Sequence, residues 1–322
     1  MAIPHTRYCS SMLYWCALLL VMPAVWAQTS PQPLQAVFDY LPPQEPTTSR
    51  LLEENARYRK YLVQFPSALV TPYSNDRVVS AMFYTPQDRT TYPVVLILPH
   101  LSGSMTAERF LARGLVRAGF AVLHITEPYY FTFEKRHESW LQSAKDLDDL
   151  VQVVHLLRQA VINTRQGIDW VLQQPGVEQG HIGLMGVSMG GWVGVLVSGI
   201  DERITSSVYV LAGGDISALI LQSPLTVTLR DNLRQHGVLP EDIQVVSNTI
   251  DPLNLAPAAR RNHTLMINAV FDRTVPRSCT DRLWEALGRP PLFWIPVGHQ
   301  GANFFRWYIR QKAIQHFGRT LQ

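Results

Sequence analysis

Residues 181–200 read HIGLMGVSMGGWVGVLVSGI. The first seven, His181 to Val187, form the short apolar run of a strand buried on both faces, and Met189 to Ile200 continues as an apolar helix. Between them stands Ser188, at the centre of Gly186-Val187-Ser188-Met189-Gly190. A Gly-x-Ser-x-Gly motif placed where a buried strand turns into a helix has the form of a nucleophile elbow. So tight a turn brings the positions two residues either side of the serine into collision unless they lack a Cβ, which accounts for Gly186 and Gly190. It lifts the serine to the carboxyl edge of the sheet, where ligands bind in open α/β folds, and the helix N-terminus behind it favours developing negative charge.

Outward from the elbow, strand and helix signals alternate. Val94 to Leu98 and Phe120 to Ile125 are further buried strands, with a helix from Ser104 to Ala118 between them. A long amphipathic stretch runs from about Ser139 to Leu172, with Leu147, Leu150, Val151, Val154, Leu157 and Val161 at helical spacing and Gly167 as a point where it can split. Asp146, Asp148 and Asp149 suit the start of that helix as a solvated, dipole-friendly face. Ser207 to Leu211, Thr264 to Phe271 and Leu292 to Val297 read as strands, and Thr280 to Leu287 and Asn303 to Phe317 as helices. This order predicts an α/β fold, a mostly parallel central sheet flanked by helices. Before it, Leu51 to Tyr61 reads as a helix, and Ala68 to Tyr73 and Val78 to Tyr84 as a hairpin turning at Ser74, Asn75 and Asp76. Residues 213–262 are less regular and are read either as a small lid over a pocket or as a crossover with extra helices.

A serine needs a base, and the elbow fold orders its triad serine, acid, histidine. After the Thr264 strand the chain holds two histidines, His299 and His316. His299 lies in the loop Pro296-Val297-Gly298-His299-Gln300-Gly301, whereas His316 falls in the tail helix as a surface residue. The acid is assigned to Asp272, at the end of the strand before the one that delivers His299, where it can fix the imidazole tautomer. Asp215, ending the Ser207 strand, is its rival; Asp251 starts a turn and is read as structural. An oxyanion needs two donors: the Met189 N–H is one, and Leu101 or Ser102, in the loop after the Val94 strand, supplies the other. His100 is then a loop-stabilising residue. Trp192 and the run Glu127 to Phe131 fit either a pocket wall or core packing.

At these residues the chain resembles the α/β-hydrolase superfamily, from about residue 68 onward. It is most similar to dienelactone hydrolases, acetyl xylan esterases and the hydrolase domain of prolyl oligopeptidases. The resemblance rests on Leu98-Pro99-His100, the Ser188 elbow, the segment Asp272 to Pro276 and Gly298-His299. It departs from the pattern at Leu101, where many relatives place glycine after the histidine. The resemblance implies the α/β-hydrolase fold, a Ser-His-Asp triad and hydrolysis; the reaction expected here is cleavage of a carboxylic ester borne on a small molecule or a polymer. A serine peptidase of the prolyl oligopeptidase type and a non-catalytic exported binding protein are the alternatives. The resemblance itself implies no substrate.

Composition narrows the class. With 322 residues, 47% hydrophobic and 16% charged, the chain is globular, and its net charge of +3 with scattered Lys and Arg is no nucleic-acid footprint. Neither a metal-ligand cluster nor a phosphate-binding glycine loop occurs, so no metal and no cofactor is expected. Cys279 is alone after Cys9 and Cys16 and is read as a buried, inert thiol. Residues 1–27 read as a signal peptide: Arg7, an apolar run from Ser11, and Val25-Trp26-Ala27 before the cut. An uncleaved anchor is the alternative, though Pro23 interrupts the run. The expected layout is therefore signal 1–27, proline-rich linker and N-terminal helix 28–66, and hydrolase domain 67–322, exported and without stable membrane association. Intact-mass analysis of exported protein is expected to show a chain beginning near Gln28; a full-length, membrane-embedded product would overturn the assignment.

Overall fold

The computed structural model describes residues 34–69, 77–101, 105–126 and 144–321. Its nine strands are β1 (Thr48–Glu54), β2 (Tyr58–Pro66), β3 (Val78–Pro86), β4 (Tyr92–Leu98), β5 (Ala121–Thr126), β6 (Val177–Val187), β7 (Ile204–Val210), β8 (His263–Ala269) and β9 (Leu292–Ile295). They form one sheet in the order β1-β2-β3-β5-β4-β6-β7-β8-β9. Pairing is antiparallel from β1 through β3 to β5 and parallel from β5 across to β9. The helices between are α1 (Thr106–Arg117), α2 (Leu147–Val171), α3 (Met189–Ile200), α4 (Ile216–Gln222), α5 (Val227–Gln235), α6 (Pro240–Ser247), α7 (Pro252–Ala259), α8 (Arg277–Ala286) and α9 (Arg306–Thr320). This is the mostly parallel α/β architecture expected from the sequence.

The unbroken apolar run in β4 has a direct explanation. Val94, Leu96 and Leu98 point into a core shared with α2 and α3, while Val95 and Ile97 point into a second core shared with α1 and α9. Alternating side chains bury into opposite layers, so no position can be polar. Gly167 does not split α2; the helix passes through it, with Ile125 and Leu123 of β5 packed where a Cβ would stand. Asp146 caps α2, accepting from Asp149 N–H at 3.1 Å. Residues 139–143 of the anticipated helix lie outside the described residues.

The N-terminal reading needs correction. Leu51 to Tyr61 is not a helix: it divides between β1 and β2, and β2 is the antiparallel partner of β3, with Phe65 opposite Val79. The break comes at Asn55, whose side-chain oxygen accepts from Arg57 N–H at 3.0 Å and Tyr58 N–H at 3.2 Å. An Asn that binds the backbone ahead of it competes with helix formation. The hairpin strand placed at Ala68 to Tyr73 thus belongs at Tyr58–Pro66; residues 70–76 lie outside the described residues. Upstream, Leu34–Phe38 is a 3₁₀ turn docked on α2, with Phe38 fully buried. Arg158 and Arg165 donate to the Val37 and Phe38 carbonyls at 2.5 and 2.8 Å. Residues 34–66 therefore pack as part of the sheet and its helical layer. The expected signal, 1–27, lies outside the described residues. Among those described, no helix is long and apolar enough to cross a membrane.

One buried group makes stability pH-dependent. His124 in β5 is 1% exposed and neither ring nitrogen has a hydrogen-bond partner. Burial pushes its pKa down to about 4, against the opposing pull of Glu108. An unfolded histidine titrates near ~6.5, so between these values the unfolded state binds more protons and stability falls as pH falls. At ~1.4 kcal/mol per unit the window amounts to ~3 kcal/mol. Urea unfolding at intervals from pH 7 to 4.5 is expected to show this slope, flattened in His124→Leu; an equal slope in the variant would count against it.

Candidate active site

The site is built where the chain changes direction within the sheet. From β4 it steps outward to β5 and then returns to β6 on the other side of β4. Such a switch point leaves a crevice at the carboxyl ends of the strands. Ser188 stands there, immediately after β6, with φ 53° and ψ −115°. A non-glycine residue in this region costs of order 1–3 kcal/mol and persists only where its surroundings enforce it. Two glycines permit the conformation. A Cβ on Gly186 would stand 2.2 Å from the Gly190 carbonyl oxygen, and one on Gly190 would stand 2.3 Å from the Leu98 oxygen of β4. The Ser188 N–H donates to the Val210 oxygen at 2.8 Å, tying the elbow to the end of β7.

Three sequence-predicted residues meet at this point. Ser188 Oγ lies 3.1 Å from His299 Nε2, and His299 Nδ1 lies 2.7 Å from Asp272 Oδ2. The Asp272 side chain is 5% exposed and that of His299 13%. The other Asp272 oxygen accepts from Thr274 and Val275 N–H, each at 2.9 Å, so the carboxylate is held by its own turn while it faces the imidazole. The loops carrying Asp272 and His299 are joined by Phe271 N–H to the Val297 oxygen at 3.0 Å. His299 begins a 3₁₀ turn, Gln300–Phe305, that leads into α9.

Asp215 and Asp251 are employed elsewhere. Asp215, at φ 64°, caps α4, accepting from Ala218 N–H at 2.9 Å, and pairs with Arg282. Asp251 accepts from the N–H groups of Asp215, Ile216 and Leu253. His316 is half-buried rather than a plain surface residue, in hydrogen-bond contact with the His263 carbonyl at 3.0 Å. Cys279 is buried, and desolvation pushes its thiol up to about 11.

Of the oxyanion candidates, Met189 opens α3, where the first N–H groups have no intrahelical acceptor. Leu101 lines the cavity beside Ser188; Ser102 lies outside the described residues, as does Glu127 to Phe131. A partner that the sequence reading missed is Glu108. It is fully buried and accepts from both the backbone N–H of His100, at 3.1 Å, and its ring Nδ1, at 2.5 Å. Burial raises its pKa, but the His100 hydrogen bonds and charge outweigh this and hold the carboxyl below its ordinary value. The signal was present: Glu108, Leu111, Ala112 and Leu115 share one helical face, and a lone acid on an apolar face calls for a partner. Among the described residues, no group of three or more His, Cys, Asp and Glu side chains is placed to hold a metal. Beside Ser188 and His299 opens a cavity of about 550 Å³, walled also by Trp192, Leu219 and Leu157.

Comparison with known proteins agrees with this fold. The dienelactone hydrolase family model matches residues 79–226. An acetyl xylan esterase from Paenibacillus sp. R4 superposes with TM-score 0.67 at 18% identity, over 88% of this chain and 91% of that one. Acetyl xylan esterase 1 from Thermoanaerobacterium sp. JW/SL YS485 gives TM-score 0.62 at 16% identity, over 87% and 92%. An uncharacterized protein of Mycobacterium tuberculosis is 31% identical over 171 residues, 53% of this chain; the match spans 38% of that relative's length. The chain thus has the α/β-hydrolase fold, and the family match supports a hydrolase.

The two aspartates can be told apart by their amides. Asp272→Asn is expected to lower the turnover number on the order of 10⁴-fold with little change in KM, since the amide cannot stabilise an imidazolium. Asp215→Asn is expected to keep most turnover and to lose stability of about 1 kcal/mol or less at the α4 cap. Steady-state kinetics and urea unfolding of both variants check this; the reverse pattern would move the acid to Asp215.

Proposed function

We propose that this protein is a serine carboxylesterase. The observation that carries the reading is the chain of contacts Ser188 Oγ–His299 Nε2–Asp272 at 3.1 and 2.7 Å, centred on a backbone held at positive φ. In this reading Ser188 Oγ attacks the ester carbonyl while His299 Nε2 takes its proton. A carbon–oxygen bond forms to the serine, and the carbonyl becomes an oxyanion received by Met189 N–H and a second N–H from Leu101 or Ser102. His299 returns the proton to the alkoxy oxygen, which leaves as the alcohol. Water, deprotonated by the same histidine, then cleaves the acyl-enzyme, releasing the acid and restoring Ser188. Asp272 keeps the Nδ1 proton in place and stabilises the imidazolium. No step calls for a cofactor. The substrate is an ester on a small molecule or a polymer, met after export, with neither nucleic acid nor membrane as a partner.

A fluorophosphonate probe is expected to label the protein once, at Ser188, and Ser188→Ala is expected to lose both the label and ester turnover by on the order of 10⁶-fold. Labelling followed by peptide mapping, with 4-nitrophenyl ester assays, decides it. A folded wild-type protein that neither labels nor hydrolyses any ester would favour the binding-protein alternative.

A further inference from the structure

The cavity at Ser188 has two chemically unlike ends. One is walled by Leu150 and Leu157 of α2, Trp192 of α3, and Leu219 and Ile220 of α4. All five belong to the core on the α2–α3 face of the sheet, so this end is a recess continuous with buried hydrocarbon. The other lies along the segment that follows His299, where Gln300, Asn303 and Arg306 stand beside the buried Ala302 and Ile309. There the Arg306 guanidinium sits 5.1 Å from the centre of the Phe110 ring, and that of Arg310 lies over the same ring at 4.3 Å. A guanidinium stacked on an aromatic face keeps its N–H edge for a carboxylate or phosphate.

The chemistry of the triad says which end holds which part of an ester. His299 must hand its proton to the departing oxygen, so the alcohol lies on the His299 side, among Gln300, Asn303 and Arg306. The acyl group then points the other way, into the recess between α2 and α4. We infer that the preferred substrate is an ester joining an apolar acyl chain of medium length to a polar alcohol that carries negative charge. The inference rests on the serine-esterase reading above and narrows it: a site for acetyl groups alone has no use for a recess of this composition within a cavity of about 550 Å³.

The test is a matrix of esters and variants, with fluorophosphonate labelling of Ser188 run on every sample. Burial of one methylene is worth ~0.8 kcal/mol, or about four-fold, so 4-nitrophenyl hexanoate is expected to exceed the acetate in kcat/KM on the order of 100-fold. Leu219→Trp fills the recess and is expected to lower that ratio about ten-fold or more; Ile220→Phe repeats the test should the first variant fail to fold. With hexanoyl fixed, 4-carboxyphenyl is expected to be favoured over 4-carbamoylphenyl as leaving group by about five-fold, a preference lost in Arg306→Gln. Acetate preferred by a protein that labels at Ser188, or ratios indifferent to Leu219 and Arg306, would overturn the inference and leave the esterase reading standing. Absence of both labelling and hydrolysis would remove the esterase reading and this inference with it.

Discussion

The backbone at Ser188 is the constraint on which the rest of the site depends. Its positive φ holds the side chain above the sheet edge, and that conformation needs support from both sides. The support comes from the strands flanking β6. The Leu98 oxygen of β4 comes so close to Gly190 that only a hydrogen fits there, and the Val210 oxygen of β7 accepts the Ser188 N–H. The long apolar runs of these strands therefore do more than fill a core. By burying the sheet on both faces they hold the strand ends in a close-packed interior, and the elbow is placed by those ends.

The same economy places the other two side chains. β8 and β9 run parallel, and their pairing continues past the strand ends through Val270 and Phe271, whose N–H groups bind the Ile295 and Val297 oxygens. Two loops that would otherwise wander independently are thus one ribbon carrying Asp272 and His299. The turn at Asp272 supplies two N–H groups to one carboxylate oxygen and leaves the other for the imidazole. Such a group is oriented before any ligand arrives, the condition for a preorganised site.

The sequence made the parallel part of the sheet legible because burial on both faces forces continuous apolar strands, separated by helices long enough to cross back. It concealed β1 and β2 because β1 is an edge strand with no residue fully buried, leaving Arg50, Glu53 and Glu54 free to mimic a solvated helix. The meeting of Ser188, His299 and Asp272 was legible from order and spacing, with each residue just past the end of a readable strand. The cavity was not, since Leu150, Leu157, Leu219 and Ile220 come from helices distant in the chain, and a leucine facing a cavity looks like any core leucine. Whether residues 213–262 close over the site is likewise a question of packing. Ile216, Leu219 and Ile220 do line the cavity, a contact that neither hydropathy nor spacing encodes.

Asp215 and Asp272 show how environment, not residue type, assigns a role. Each follows a parallel strand at the same edge, on β7 and β8 respectively. Asp215 takes a left-handed backbone and turns its carboxylate back onto Ala218 N–H, at the start of α4, with Arg282 against it. That carboxylate is committed to a helix end and a guanidinium. Asp272 instead sits in a turn that uses only one of its oxygens, and the next strand over carries an imidazole to the other. The difference is one strand position in the sheet. Because β9 lies beside β8 and not beside β7, the loop after β9 descends onto Asp272, so the strand order itself selects which aspartate meets His299.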